Sequence, residues 1–167
     1  MASKRSRYLG SGAAGAALLA AALAYTGSWE GDKLRSYRDV GGVWTACMGV
    51  TEGIGPNMTF TEAQCADLNR QKLVEHEQRL LACAPEMWGA PAKTYVAIND
   101  WAYNVGTGAA CRSTLIKYAR KGQWRQACEQ LSRWVYVKGA VIRGLVNRRI
   151  NDAGGRISER TLCLEGL

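Results

Sequence analysis

The stretch Trp29-Glu30-Gly31-Asp32-Lys33-Leu34-Arg35-Ser36-Tyr37-Arg38-Asp39-Val40-Gly41-Gly42-Val43-Trp44-Thr45-Ala46-Cys47-Met48-Gly49 holds most of the information in this chain. Eight residues separate Glu30 from Asp39, and five separate Asp39 from Thr45. Cleaving a glycosidic bond needs a carboxylic acid that protonates the leaving oxygen, and an inverting reaction needs a second carboxylate across the sugar to activate water. Glu30 fits the first task and Asp39 the second, with the Thr45 hydroxyl available to hold the water. An aromatic neighbour such as Trp29 favours the protonated acid, whereas an aspartate in a polar turn stays ionised. Spacing alone is weak support, because acidic residues this far apart are commonly surface charges. Gly41-Gly42, Gly49, Gly53 and Gly55 surround the short β-type run Val43-Trp44-Thr45, so 31–56 reads as hairpin and turns.

Immediately before this stretch lies an unusual segment. Lys4, Arg5 and Arg7 precede a run from Tyr8 to Trp29 that contains no charged residue. Such a run is long enough to span a bilayer, and its basic flank directs the rest of the chain out of the cytoplasm. Alanine and glycine dominate it, so insertion is only weakly favoured and the segment can leave the bilayer. It reads as a weak membrane anchor. The alternatives are a signal peptide cleaved after Ala22-Leu23-Ala24 and a buried alanine-rich helix, which has no need of the basic flank. The expected organisation is therefore an N-terminal segment 1–29, with the anchor over about 8–29, and a body 30–167.

The six cysteines Cys47, Cys65, Cys83, Cys111, Cys128 and Cys163 form an even set without CxxC spacing, and there is one histidine. Metal ligation is a poor reading of that pattern, and no metal or cofactor is expected. An exported chain meets an oxidising compartment, so three disulfides are expected, with fifteen pairings open. The net charge of +8 includes the N-terminal flank. Its basic residues are scattered and no nucleic-acid motif accompanies them, so an anionic bacterial envelope suits the chain better than nucleic acid. Nothing calls for an obligate partner, and a monomer is expected.

Within the body, Thr61 can cap a helix, Gln64 stands at the capping-box position and Phe60 can staple onto Cys65. That helix should reach about Ala82, ending before Pro85. His76, between Glu75 and Glu77, reads as a solvated surface residue. Further helices are expected at Lys93–Asn104, Ser113–Lys121, Gln123–Arg133 and Leu145–Asn151, with a Gly106-Thr107-Gly108 loop. Trp44, Trp101, Trp124 and Trp134 sit among apolar neighbours and read as mostly core, and the basic run 117–121 as a solvated helix end. The fold class is α+β, mostly α: a catalytic and hairpin lobe over 30–60, a connecting helix over 61–82 and a helical lobe over 83–167, flanking a cleft.

The order Glu-x8-Asp-x5-Thr, with Tyr37-Arg-Asp-Val-Gly-Gly-Val-Trp-Thr-Ala-Cys-Met-Gly49, resembles the phage lysozymes of glycoside hydrolase family 24, above all their signal-anchor-release endolysins. The similarity continues through Tyr103-Asn-Val-Gly-Thr-Gly108, Ser113-Thr-Leu115, Ala127-Cys-Glu-Gln-Leu-Ser-Arg-Trp134 and Gly144-Leu-Val-Asn-Arg-Arg149. Several spaced motifs together are specific. The resemblance implies a lysozyme-like two-lobed fold that cleaves peptidoglycan, with Glu30 as general acid, Asp39 as second carboxylate and Thr45 positioning water. It implies that Asn104 and Gly106 contact substrate, and that Arg148 approaches Glu30 as an ionic partner. It also implies export as an inactive form tethered on the periplasmic side of the host inner membrane, followed by release into the periplasm. Val50 departs from relatives that have histidine there, and residues around Ala153-Gly-Gly155 are extra, where a local loop is expected. The rival functions are a lytic transglycosylase, which needs no water-activating pair, and a non-catalytic, membrane-anchored peptidoglycan-binding protein.

Overall fold

The computed structural model describes residues 12–39 and 41–167. The start of the expected anchor, Tyr8 to Ser11, and its flank Lys4, Arg5 and Arg7 lie outside the described residues.

Helix α1, Gly12–Glu30, is built mostly from alanine and leucine, without proline. It ends where Gly31 takes a left-handed φ of 70° and its N–H donates to the Gly27 carbonyl at 3.0 Å, a glycine-terminated helix end. Leu19, Ala22 and Thr26 are buried, spaced so that one face of α1 packs against α3 and α2. Ala13, Ala16, Ala20 and Ala24 stay exposed on the other side. The segment expected to be an anchor is thus a helix docked on the body, and among the described residues no helix is long and apolar enough to cross a membrane.

After α1 the chain forms a hairpin of β1, Lys33–Arg38, and β2, Trp44–Cys47. The strands are antiparallel, pairing Arg38 with Trp44 and Tyr37 with Thr45, and the register shifts before Lys33 pairs with Cys47. Beneath them Ala46, Cys47, Val50 and Cys65 form a small core with Leu34, Ile54, Phe60 and Leu68 packed against it. Val50 is buried there as an apolar side chain.

Helix α2, Glu62–Cys83, begins with the expected capping box: Thr61 Oγ1 accepts from the Gln64 N–H at 3.2 Å, and Gln64 Oε1 accepts from the Thr61 N–H at 2.8 Å. Its first half supplies Cys65 and Leu68 to the small core. Its second half supplies Leu73, Leu80 and Leu81 to a large core centred on Trp101, Ile98, Leu115, Ile116 and Leu131. His76 is only partly exposed; it packs on the Tyr103 ring with centroids 4.8 Å apart, which corrects its reading as a solvated residue.

The remaining helices are α3, Ala92–Val105; α4, Thr107–Arg112; α5, Thr114–Ala119; α6, Trp124–Glu129; α7, Arg143–Arg149; and α8, Glu159–Glu165. The Gly106–Gly108 loop shrinks to a single hinge: Gly106, at φ 83°, ends α3 and α4 starts at the next residue. Ser113 caps α5 rather than joining it, and the expected 123–133 helix tightens into a 3-10 turn over Gln130–Arg133. A short hairpin of β3, Tyr136–Val137, and β4, Ala140–Val141, precedes α7. Trp101 is fully buried, with Trp134 edge-on against it at 5.0 Å. Disulfides join Cys47 to Cys65, Cys83 to Cys111 and Cys128 to Cys163. The first closes the small core, and the other two tie α2 to α4 and α6 to α8.

Candidate active site

Glu30 is the last residue of α1, so the docking of that helix decides where its carboxyl stands. Arg148 Nη1 donates to Glu30 Oε1 at 2.7 Å. Arg148 lies on α7 and is itself held on its other edges: Nη2 donates to both Asp100 oxygens at 3.0 and 3.1 Å, and Nε to Glu159 Oε1 at 3.1 Å. Arg149 donates to Glu159 as well and, on its other side, to Asn104 Oδ1. The side chains of Asp100, Glu159 and Arg149 are fully buried. Burial opposes the Arg148 charge, but Asp100, Glu30 and Glu159 outweigh it and hold the guanidinium charged beyond the ordinary arginine range. Burial also pushes the Glu159 carboxyl well above the usual glutamate range, against the pull of Arg149. Held along its other edges by two buried acidic side chains, the guanidinium presents Nη1 to Glu30.

Sequence reasoning reached Arg148 but missed Asp100 and Glu159. Asp100 stands between Asn99 and Trp101 on the buried face of α3. A carboxylate within a mostly apolar helix was the available signal for it, since a buried charge must be paired. Glu159 opens α8, a helix that the sequence reading did not contain.

Asp39 lies at the tip of the β1–β2 hairpin. Its Oδ1 accepts from the N–H groups of Gly41 and Val43, each at 2.8 Å, and its own backbone closes the turn with Gly42 and Val43. The second carboxylate oxygen has no part in those bonds. Thr45, facing Tyr37 in the register, is buried, and its Oγ1 donates to the Val43 carbonyl at 3.0 Å. With that proton engaged, the hydroxyl oxygen is an acceptor toward anything else.

The charge of Glu30 reaches side chains on three elements. On β1, burial and then the Glu30 and Asp39 carboxylates push the Tyr37 phenol up, which puts both acids within electrostatic reach of one ring. On α3, burial and then Glu30 raise Tyr103 well above its ordinary value. On α2, burial lowers the Lys72 ammonium while Glu30 acts in the opposite direction. Tyr103 and Asn69 help fasten the hairpin side to the helices: Tyr103 Oη donates to the Met48 carbonyl at 2.6 Å, and Asn69 links the Met48 N–H at 2.9 Å to Asp32 Oδ1 at 3.0 Å.

Asn104 is exposed and faces Arg149, and a Cβ built on Gly106 would meet open space. A cavity of about 310 Å³ beside the Glu30–Arg148 pair is lined by Trp29, Ile142, Leu145, Asn147, Arg148 and Arg156. A second cavity of about 400 Å³, between Val50–Glu52 and α2, contains none of the six predicted site residues. Asp32, Cys47 and Cys65 converge within 4.8 Å, but the two sulfurs are bonded to each other and offer no thiolate.

Comparison with known proteins agrees with this architecture. Residues 27–152 match the family model described as phage lysozyme. The chain is 36% identical over 138 residues to the SAR-endolysin of bacteriophage PS119, covering 82% of this chain and 77% of that protein. It is 32% identical over 158 residues to the SAR-endolysin of enterobacteria phage P21, covering 91% and 90%. Among solved structures, the active form of the P1 phage endolysin Lyz superposes with a TM-score of 0.74 at 28% identity, covering 87% of this chain and 84% of that one. On this combination of sequence and architecture, the chain belongs to the phage lysozyme family.

Proposed function

We propose that this protein is a phage endolysin that hydrolyses the β-1,4 bond between N-acetylmuramic acid and N-acetylglucosamine in bacterial peptidoglycan. The observation behind this reading is the Glu30–Arg148 contact: it fixes a carboxyl at the junction of α1, α3 and the hairpin whose tip bears Asp39. Glu30 donates its proton to the leaving sugar oxygen. Asp39, rigid in its turn and with one oxygen uncommitted, takes a proton from the attacking water. Thr45 Oγ1 accepts the water's other O–H, which aims a lone pair at the anomeric carbon. Asn104 and Gly106 border the glycan path.

The names of the similar SAR-endolysins support a second part of the reading. Segment 1–29 tethers the exported chain to the periplasmic face of the host inner membrane, and the body 30–167 becomes active once the segment leaves the bilayer. In the tethered state α1 cannot lie against α3, so Glu30 cannot meet Arg148. The released enzyme works in the periplasm as a monomer, without nucleic acid or cofactor.

The test is zymography of Glu30→Gln beside the wild type on purified cell walls, with analysis of the products. The amide cannot protonate a sugar leaving group, so the variant should be inert while keeping its fold and its binding to walls. Equal wall clearing by both proteins rejects the assignment of Glu30. New reducing muramic acid ends support hydrolysis, and 1,6-anhydro ends reject it in favour of a transglycosylase.

A further inference from the structure

The turn between α7 and α8 touches the end of α1 just before Glu30. Ala153 and Arg156 exchange both backbone hydrogen bonds, at 3.0 and 3.1 Å, across Gly154 and Gly155 at φ 59° and 75°. Two consecutive left-handed residues make this a tight two-residue turn that favours glycine at both positions. Its base is fastened to α8: Asp152 Oδ1 accepts from the N–H of Ser158, the cap of that helix, at 2.8 Å, and Ser158 Oγ donates to the Ile150 carbonyl at 3.1 Å. The next residue, Glu159, is the one that steadies Arg148 and Arg149.

From this rigid base three contacts reach α1. Arg156 Nη1 donates to the Ser28 carbonyl at 3.0 Å. Its guanidinium lies over the Trp29 ring, 4.6 Å from the centroid. Tyr25 Oη donates to the Ile157 carbonyl at 2.9 Å. Ser28 is among the last four residues of α1, whose carbonyls have no partner within the helix, and the negative end of the helix dipole attracts a cation there. Arg156 satisfies both demands at once.

We propose that Arg156, presented by the 153–156 turn, is a positioning residue for Glu30: it clasps the last turn of the docked helix so that the carboxyl arrives in front of Arg148. The inference rests on the reading of Glu30 as the proton donor. Arg148 grips the side chain, Arg156 grips the backbone two residues earlier, and the two grips are mechanically joined through α8. Both the Arg156 and the Ile157 contacts exist only with α1 docked, so the turn also receives the helix when it leaves the membrane.

The experiment uses the full-length released protein and two measurements, steady-state wall hydrolysis and amide hydrogen exchange. In Arg156→Ala, kcat should fall about tenfold, below the hundredfold that a misplacement of about 1 Å can cause, while KM stays within about twofold. Amides at the end of α1, Gly31 included, should exchange faster, with those of α8 unchanged. Arg156→Lys should recover part of kcat, because an ammonium can still reach one carbonyl but not lie flat on the indole. Gly155→Ala strains the turn at φ 75° without meeting any neighbour and should act in the same direction. Wild-type kcat in Arg156→Ala, a change in KM alone, or unchanged exchange at the end of α1 would each overturn the proposal. Glu30→Gln run in parallel separates the two ideas: if it hydrolyses walls normally the function is misassigned, and the exchange comparison still decides the clasp.

Discussion

Arg148 Nη1 stands 2.7 Å from Glu30 Oε1, so a residue of α7 holds the terminal side chain of a helix that ended 118 residues earlier in the chain. The same guanidinium also holds Asp100 and Glu159, both with fully buried side chains. Arg148→Ala leaves those carboxylates short of their partner, and breaking a buried pair from one side costs about 3–5 kcal/mol. The melting temperature should drop by about 10 °C, and hydrolysis should be lost with it. A variant that melts like the wild type would show that the cluster contributes little to the fold.

Asp39 permits a cleaner dissection, because both bonds that hold its turn end on Oδ1. An asparagine keeps an oxygen there, so Asp39→Asn should leave the hairpin and the melting temperature intact while removing the negative charge. Hydrolysis should fall by about 10²-fold or more if the carboxylate takes the water's proton. Activity within a few-fold of wild type, with the fold unchanged, would remove Asp39 as an essential base.

Local signals were legible in the sequence and long-range ones were not. Thr61, Gln64 and Phe60 act within one helical turn, so the start of α2 could be read from spacing. Glycine misled at Gly106, where a left-handed residue is a hinge between two helices rather than a loop. The β3–β4 hairpin has two residues per strand, too few for alternation to register. Glu30 and Asp39 were picked out by chemistry and family resemblance. That Asp100 and Glu159 lie beside Arg148 depends on how α3, α7 and α8 cross, which no periodicity encodes. His76 looked solvated between two glutamates because the tertiary contact with Tyr103 is invisible at that range.

That contact has a pH consequence. Burial holds the His76 imidazole below its ordinary value of 6.5, Lys72 and Arg79 push the same way, and Glu75 opposes them. Between the folded value and 6.5 the unfolded chain takes up a proton that the folded chain refuses. Stability therefore rises with pH through that window and is lost as pH falls through it. His76→Gln removes this site, so the melting temperature of the wild type should fall relative to the variant as pH drops below 6.5. A difference independent of pH would show that His76 does not titrate differently in the two states.

Cys128 and Cys163 are both fully buried and join α6 to α8, the helix that begins with Glu159. Their separation of 35 residues corresponds to about 4 kcal/mol of unfolded-state entropy. Replacing both by alanine should lower the melting temperature by about 10 °C and weaken the support of Arg148. Calorimetry of the double variant checks this, and an unchanged transition would rule out a stabilising role for the bridge.

The geometry of α1 also sharpens a test of control by the membrane. Ala13, Ala16, Ala20 and Ala24 lie on its exposed face, whereas Leu19, Ala22 and Thr26 are buried against the body. Leucine at the four exposed positions therefore leaves the docked interface untouched, yet it makes bilayer insertion more favourable at each site. Two equilibria that share one helix are thereby separated: the membrane-inserted state gains apolar surface in lipid, and the docked state gains only exposed side chains. If tethering silences the enzyme as proposed, the substituted protein should stay in the inner membrane fraction and lyse cells later than wild type, with α1 in the bilayer keeping Glu30 away from Arg148 and Arg156. Purified in detergent and diluted onto cell walls, the same protein should regain hydrolysis, since its site is unaltered. If it remains in the membrane and still lyses cells on the wild-type schedule, withdrawal of Glu30 is not what silences the tethered enzyme.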